Sequence, residues 1–203
     1  MSTIAVTNVK HPSAVDPAIV LDADGDVTYA GVHDFSAATV TGAPQGLVHI
    51  ATESFSAVSS VSLNGVFSST FDAYRVIVRL VGTSGGALNY RNRLAGTDAT
   101  TDYNVQEFTA RNTTLAGVRS TGALFAGVSV IRPVATESYF DIYGVAKSEM
   151  TGIFANVRDD VVNFGVEVKA INHTTATAYD GFSLTASAGT ITGTVRVYGY
   201  ANS

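Results

Sequence analysis

Gly82-Thr83-Ser84-Gly85-Gly86 has the spacing of a nucleophile elbow, which presents a serine hydroxyl on a sharp strand-to-helix turn. Here the chain continues into the strand pattern Leu88–Leu94 instead of a helix, so the five residues read as a turn. Asp22-Ala23-Asp24-Gly25-Asp26 is similar to the start of a calcium loop, but its Gly stands fourth and its twelfth residue is His33 where a bidentate Glu is needed. It reads as a hairpin turn held by local Asp–backbone bonds; a weak calcium site shared between chains is the alternative. His11, His33, His49 and His173 lack the i, i+2 or i, i+4 spacing of a metal pair. They read as isolated loop histidines, the alternative being one His per chain around a threefold axis. Asp159-Asp160 would point to opposite faces of a strand, so they read as a turn and not as a glycosidase pair. No Gly-rich phosphate loop opens a helix. No catalytic, cofactor-binding or metal-ligating residue is assigned, and no enzyme activity or cofactor is expected.

The arginines carry more information. If strands Ala73–Val81 and Ala87–Leu94 form a hairpin, Val76, Val78 and Leu80 share a face with Leu88, Tyr90 and Leu94 only when even positions face even ones. Arg75, Arg79, Arg91 and Arg93 then lie together on the outer face, where opposed like charges destabilise a ladder. The patch calls for carboxylates from a neighbouring strand or chain, or for an anionic glycan. Tyr139 and Tyr143 point outward from their strand, as do Tyr198 and Tyr200, and exposed tyrosines suit sugar stacking or a subunit interface.

The elements that position these residues are strands. Only 3 Lys and 5 Glu are present, helix formers are scarce, and Val, Thr, Tyr and Phe abound. Period-two alternation recurs. Phe164, Val166, Val168 and Ala170 alternate with Asn163, Gly165, Glu167 and Lys169, and Phe140 and Ile142 with Tyr139, Asp141 and Tyr143. Ile191, Val195 and Val197 alternate with Thr192, Thr194, Arg196 and Tyr198, and Phe182 and Leu184 with Ser183 and Thr185. Each run reads as one apolar, buried face and one solvated face. Phe55–Leu63, Val105–Ala110, Phe125–Ile131 and Ile153–Val157 are further strands, divided by Asn64-Gly65, Gly85-Gly86, Asp180-Gly181 and Ala188-Gly189. The count predicts an all-β antiparallel sandwich of jelly-roll type over residues 47–203. Residues 1–46 hold three of the four prolines and read as an extended arm with one hairpin, Ile19–Leu21 to Val27–Tyr29. A two-stranded ribbon is marginal in water, so this arm is expected to pack on another surface.

Composition narrows the class. The chain has 203 residues, no Cys, 14 % charged residues and a net charge of −5. Absent Cys excludes disulfides, Cys zinc sites and a thiol nucleophile, and the acidic balance argues against nucleic acid. No stretch reaches the ~18 apolar residues of a membrane span, so no membrane insertion is expected. Residues 1–10 lack signal-peptide character, so synthesis in a cytoplasm with no encoded export route is expected.

Asn8-Val9-Lys10-His11-Pro12-Ser13 followed by Ala18-Ile19-Val20-Leu21-Asp22-Ala23-Asp24-Gly25 resembles the start of many bacteriophage virion proteins. Val61-Ser62-Leu63-Asn64-Gly65-Val66-Phe67-Ser68-Ser69-Thr70-Phe71-Asp72-Ala73-Tyr74-Arg75, Tyr139–Tyr143, Tyr179–Leu184 and Ala188–Tyr200 resemble a jelly-roll module of phage fibre, spike and decoration proteins. The resemblance implies a non-enzymatic virion component, a homotrimer with its N-terminus toward the particle. Asn8, Val9, His11, Pro12, Ile19 and Leu21 are then the particle-docking residues. Arg75, Arg79, Arg91, Arg93, Tyr139 and Tyr143 are the subunit or glycan contacts. The expected partners are further copies of the chain, other phage structural proteins of capsid or tail, and a host-surface glycan. No long shaft separates arm and module, which implies a stubby spike. A lectin-like carbohydrate-binding module without a structural role is the alternative.

Overall fold

The computed structural model describes residues 8–9, 19–21, 27–29, 46–159 and 165–201. Among them every regular element is a strand, as the period-two patterning requires. The chain divides into two units, Met1–Pro44 and Gln45–Ser203.

In the first unit, β1 (Asn8–Val9), β2 (Ile19–Leu21) and β3 (Val27–Tyr29) form an antiparallel sheet in that order. Leu21 stands opposite Val27, giving the expected hairpin, and Asn8 stands opposite Val20, adding a strand that the two-stranded reading lacked. His11, Pro12, His33 and the Asp22–Asp26 turn lie outside the described residues.

The second unit contains β4 (Leu47–Val58), β5 (Ser60–Leu63), β6 (Ala73–Gly82), β7 (Gly86–Leu94), β8 (Thr97–Asp98), β9 (Tyr103–Arg111) and β10 (Thr114–Ala123). It continues with β11 (Ala126–Ile131), β12 (Thr136–Tyr143), β13 (Thr151–Asp159), β14 (Gly165–His173), β15 (Gly181–Ala186) and β16 (Ile191–Tyr200). They build an antiparallel sandwich. The large sheet has the order β10-β9-β14-β13-β12-β6-β16-β4, and the small sheet β11-β7-β15-β5, with β8 paired to β7. The pairing is nested: β4 with β16, β5 with β15, β6 with β12 and β7 with β11. The hairpins β9–β10 and β13–β14 extend the large sheet beyond β12.

Between the layers, Val76, Val78, Leu80, Phe140, Ile142, Val195 and Val197 of the large sheet bury against Leu88, Tyr90, Phe182 and Leu184 of the small one. Phe182 stacks on Tyr90 and Phe67 with ring centroids 5.6 Å apart, and Phe140 meets Tyr90 edge-on at 5.7 Å. Burial of this apolar surface is the main favourable term, of order 25 cal/mol per Å².

Three expectations are corrected. First, β6 and β7 are not a hairpin. Gly82 donates its N–H to the Arg132 carbonyl (2.8 Å), and Thr83 donates its N–H to the Thr190 carbonyl (2.9 Å), so the Gly82–Gly86 segment crosses from one sheet to the other. The even positions of both strands do face the core, but across the sandwich, and Leu94 is exposed. In β6 and β7 alternation marks the buried face, but not which strand is the neighbour. Likewise Phe55–Leu63 is two strands in different sheets, broken near Ala57, whose φ is +52°.

Second, β14 is turned over. Val166 and Ala170 face outward, Val166 at 47 % exposure, while Glu167 and Lys169 are buried at 2 % and 5 %. Phe164 lies outside the described residues. The odd residues go inside because Ile171 continues the buried row of Ile153, Ile142 and Tyr74. The buried charges are paired: Lys169 Nζ lies 2.9 Å from Glu107 Oε2 and 3.1 Å from Glu167 Oε2, and Arg111 also grips Glu167. Third, β10 has no counterpart among the expected strands. Nearly all of it is solvent-exposed, so no alternation marks it.

Candidate functional site

The outer face of the large sheet is set by strand parity. Odd residues of β6 and β12 and even residues of β9, β13, β14 and β16 project there. One row across the sheet reads Arg196, Ile77, Tyr139, Asn156, Val168 and Phe108. The next reads Tyr198, Arg75, Asp141, Phe154, Ala170 and Gln106. Arg79 stands opposite Glu137 in a third row.

Arg75 holds Asp141 with two bonds, Nε to Oδ1 at 2.8 Å and Nη2 to Oδ2 at 2.7 Å. Tyr200 donates its hydroxyl to Asp141 Oδ1 at 2.8 Å. The Arg75 guanidinium sits 4.9 Å from the Tyr139 ring centre and 5.7 Å from that of Tyr200. Burial pulls the Asp141 carboxyl up, but the Arg75 fork and the Tyr200 hydroxyl outweigh it and hold the group below its ordinary value. Burial and the adjacent Asp141 push the Tyr200 hydroxyl up to about 12. Asp141 is therefore a fixed anion that orients Arg75, not a proton donor.

Beside this clamp lies a groove of about 660 Å³, lined by Arg75, Arg79, Glu137, Tyr139, Arg158 and Arg196 among others. Arg79 and Glu137 meet at 3.2 Å with side chains 65 % and 56 % exposed, so their pairing is weak and exchangeable. Arg196 is exposed and has no carboxylate partner among the described residues.

The expected arginine cluster is thus divided. Arg75, Arg79 and Tyr139 come together at the groove, and Tyr143 lies beyond them on the same face, 50 % exposed. Arg91 and Arg93 belong to the small sheet. Arg93 donates to Asp98 Oδ1 (2.5 Å) and Asn64 Oδ1 (3.0 Å), fastening the two-residue β7–β8 turn at Ala95-Gly96, where both φ angles are positive. Arg91 donates to the Leu124 carbonyl (3.0 Å) and lies over Phe125. The carboxylates that these four arginines called for come from neighbouring strands of the same chain. Arg158, Arg196 and Asn156 were not singled out from sequence. Parity marks Arg196 as outward, but only the β16–β6 and β12–β13 pairings bring the three to one place.

Next to the groove, and sharing Val166 with it, the outer face carries an apolar patch, with Asn104, Gln106, Arg119 and Asn172 beyond it. Phe108 (47 % exposed), Phe154 (46 %), Val166, Val168, Ala170 and the β10 residue Leu115 are neighbours by register. Asn8, Val9, Ile19 and Leu21 are strand residues of the first unit. Among the described residues, no group of three or more His, Cys, Asp or Glu side chains stands together as a metal-ligand set. His173 is buried between Tyr103 and Tyr179, and its Nδ1 has no hydrogen-bond partner. The Gly82–Gly86 serine sits in a crossover between sheets with a strand on either side.

Comparisons of this chain with protein-family models, with curated proteins and with solved structures find no match. The class that the fold defines is an all-β antiparallel sandwich with a separate N-terminal β unit. Its large outer face carries a cationic and aromatic groove beside an apolar patch.

Proposed function

We propose that this chain is a non-enzymatic structural component of a bacteriophage virion, a short fibre, spike or decoration protein that also contributes to host-surface attachment. The nested strand pairing supports reading the domain as a jelly roll. The observation that carries the structural reading is the inverted β14 strand. It turns Val166, Val168 and Ala170 outward beside Phe108 and Phe154, while ion-paired Glu167 and Lys169 take the inner side. Monomeric proteins rarely expose a contiguous apolar patch of this kind, so a face built so is one that assembly covers. The sequence phrases supply the particle and the number three. Closed threefold symmetry buries the same patch on every copy and multiplies weak surface contacts into avidity. The first unit is the docking part, using strand-edge pairing to a capsid or tail protein. The chain is assembled in the host cytoplasm and resides in the virion.

Locating the chain in intact particles by electron cryo-microscopy tests this reading. Ordered copies at a capsid or tail position are expected, and a particle fraction devoid of the chain contradicts it. The groove beside Arg75 favours the second reading, a carbohydrate-binding module working without a particle.

A further inference from the structure

We propose that the groove between Arg79, Arg196 and Tyr139 on the large sheet binds a carboxylated polysaccharide. This rests on the adhesive half of the proposed function and names its ligand class. The chain as a whole is acidic at −5, yet Arg75, Arg79 and Arg196 line this groove, where Asp141 pairs with Arg75 and the exposed Glu137 with Arg79. Arg75 is committed to Asp141 and to the faces of Tyr139 and Tyr200. It positions Tyr139 and leaves recognition to Arg79 and Arg196. Tyr139 is 41 % exposed, so part of its ring stays open to stack against the apolar side of a sugar.

Arg79 and Arg196 supply the charge. Ile77 pairs with Arg196 across the β6–β16 ladder, which puts Arg196 on the diagonal from Arg79. Diagonal neighbours have Cα atoms about 7–8 Å apart, within reach of two long side chains. Arg79 holds only an exposed carboxylate and Arg196 none among the described residues. A planar guanidinium matches a carboxylate with two parallel bonds.

Two features select an acidic sugar over a phosphate polymer. Asn156 and Glu137 on the groove wall accept hydrogen bonds, which sugar hydroxyls donate and a polyphosphate does not. The protein's net negative charge opposes the dense charge of a nucleic acid. The exposure of Arg79 and Glu137 leaves the groove open, which fits an extended chain.

The test uses the full chain and isothermal titration with oligogalacturonate, oligoalginate and oligosialic acid. Carboxyl-reduced oligogalacturonate and inorganic polyphosphate serve as controls. The mass of the protein particle is measured on the same samples. Binding of at least one acidic oligosaccharide is expected. It should weaken with salt, vanish on carboxyl reduction, and fall about tenfold or more in Arg196→Ser and in Tyr139→Ala. Absence of binding to all three acids overturns the proposal. So does equal binding of the reduced polymer or of polyphosphate, or unchanged affinity in the Arg79→Ser/Arg196→Ser double variant. The two readings fail separately. A trimer that binds none of the acids overturns only the ligand, and a monomer that binds overturns only the assembly.

Discussion

Lys169 of β14 lies between two glutamates, 2.9 Å from Glu107 and 3.1 Å from Glu167, inside the sandwich and not on its surface. The two ion pairs compensate the charges that β14 buries when Ile171 joins the apolar row of Ile153, Ile142 and Tyr74, and so let Val166 and Val168 face outward.

Lys169→Met leaves Glu107 and Glu167 facing one another with Arg111 as their remaining described cation. An uncompensated buried charge costs about 3–5 kcal/mol, so the urea midpoint should fall steeply. The triple variant Lys169→Met/Glu107→Gln/Glu167→Gln should recover much of that loss. A single variant as stable as the parent would contradict the buried ion pairs.

Asp141 is held below its ordinary value of 3.8 by Arg75 and Tyr200 against the pull of burial. The unfolded chain therefore takes up a proton at higher pH than the folded one. The stabilisation is complete above the ordinary carboxylate range and is lost as pH falls through the lower folded value. Asp141→Asn should cost about 1–3 kcal/mol at pH 7 and flatten the acid limb of stability against pH. An acid limb unchanged in Asp141→Asn would remove the clamp from the account.

The alternation at β12 shows what sequence carries. Phe140 and Ile142 are buried and Tyr139 and Tyr143 exposed, as their spacing dictates, and Val76, Val78 and Leu80 of β6 follow the same rule. In these strands period two marks the face but is silent on the neighbour. Arg75 therefore finds Asp141 on β12, and not Arg91 on the strand that follows in sequence. At β14 both parities carried apolar residues, Val166 and Val168 on one side and Ile171 on the other. Ile171 follows the buried row of Ile153 and Ile142, and Glu107 on β9, the sheet neighbour far away in sequence, pairs with the buried Lys169; no local pattern contains either. The groove was half legible: Arg75, Arg79 and Tyr139 were readable as outward, whereas Arg158 and Arg196 join them only through strand order.

His173 is kept below its ordinary value of 6.5 by burial, which outweighs Asp102 and backbone hydrogen bonds with Thr101 and Thr175 acting the other way. Folding therefore favours the neutral ring. Its contribution is complete above the ordinary histidine value and is lost as pH falls toward the lower folded value. Thermal unfolding at pH 7 and pH 5.5 should show a drop that His173→Phe abolishes, and imidazole resonances followed by NMR should place the folded titration below 6.5. A pH response identical in both proteins would exclude His173 as its source.

Gly193 of β16 lies so close to β6 that a methyl group would overlap the Arg79 carbonyl oxygen. Gly193→Ala should cost about 1–3 kcal/mol and weaken the β6–β16 ladder that carries Arg196 beside the groove. Amide exchange in β6 is the readout, and unchanged protection there would contradict the close approach.

We propose that further copies of this chain cover the outward apolar patch of the large sheet. Native mass spectrometry of the full chain at micromolar concentration reads this out. Three chains per particle are expected, and single chains for Phe108→Ser/Phe154→Ser with an unfolding midpoint close to that of a dissociated parent chain. A parent protein that is monomeric at that concentration, or a double variant that stays trimeric, would contradict it.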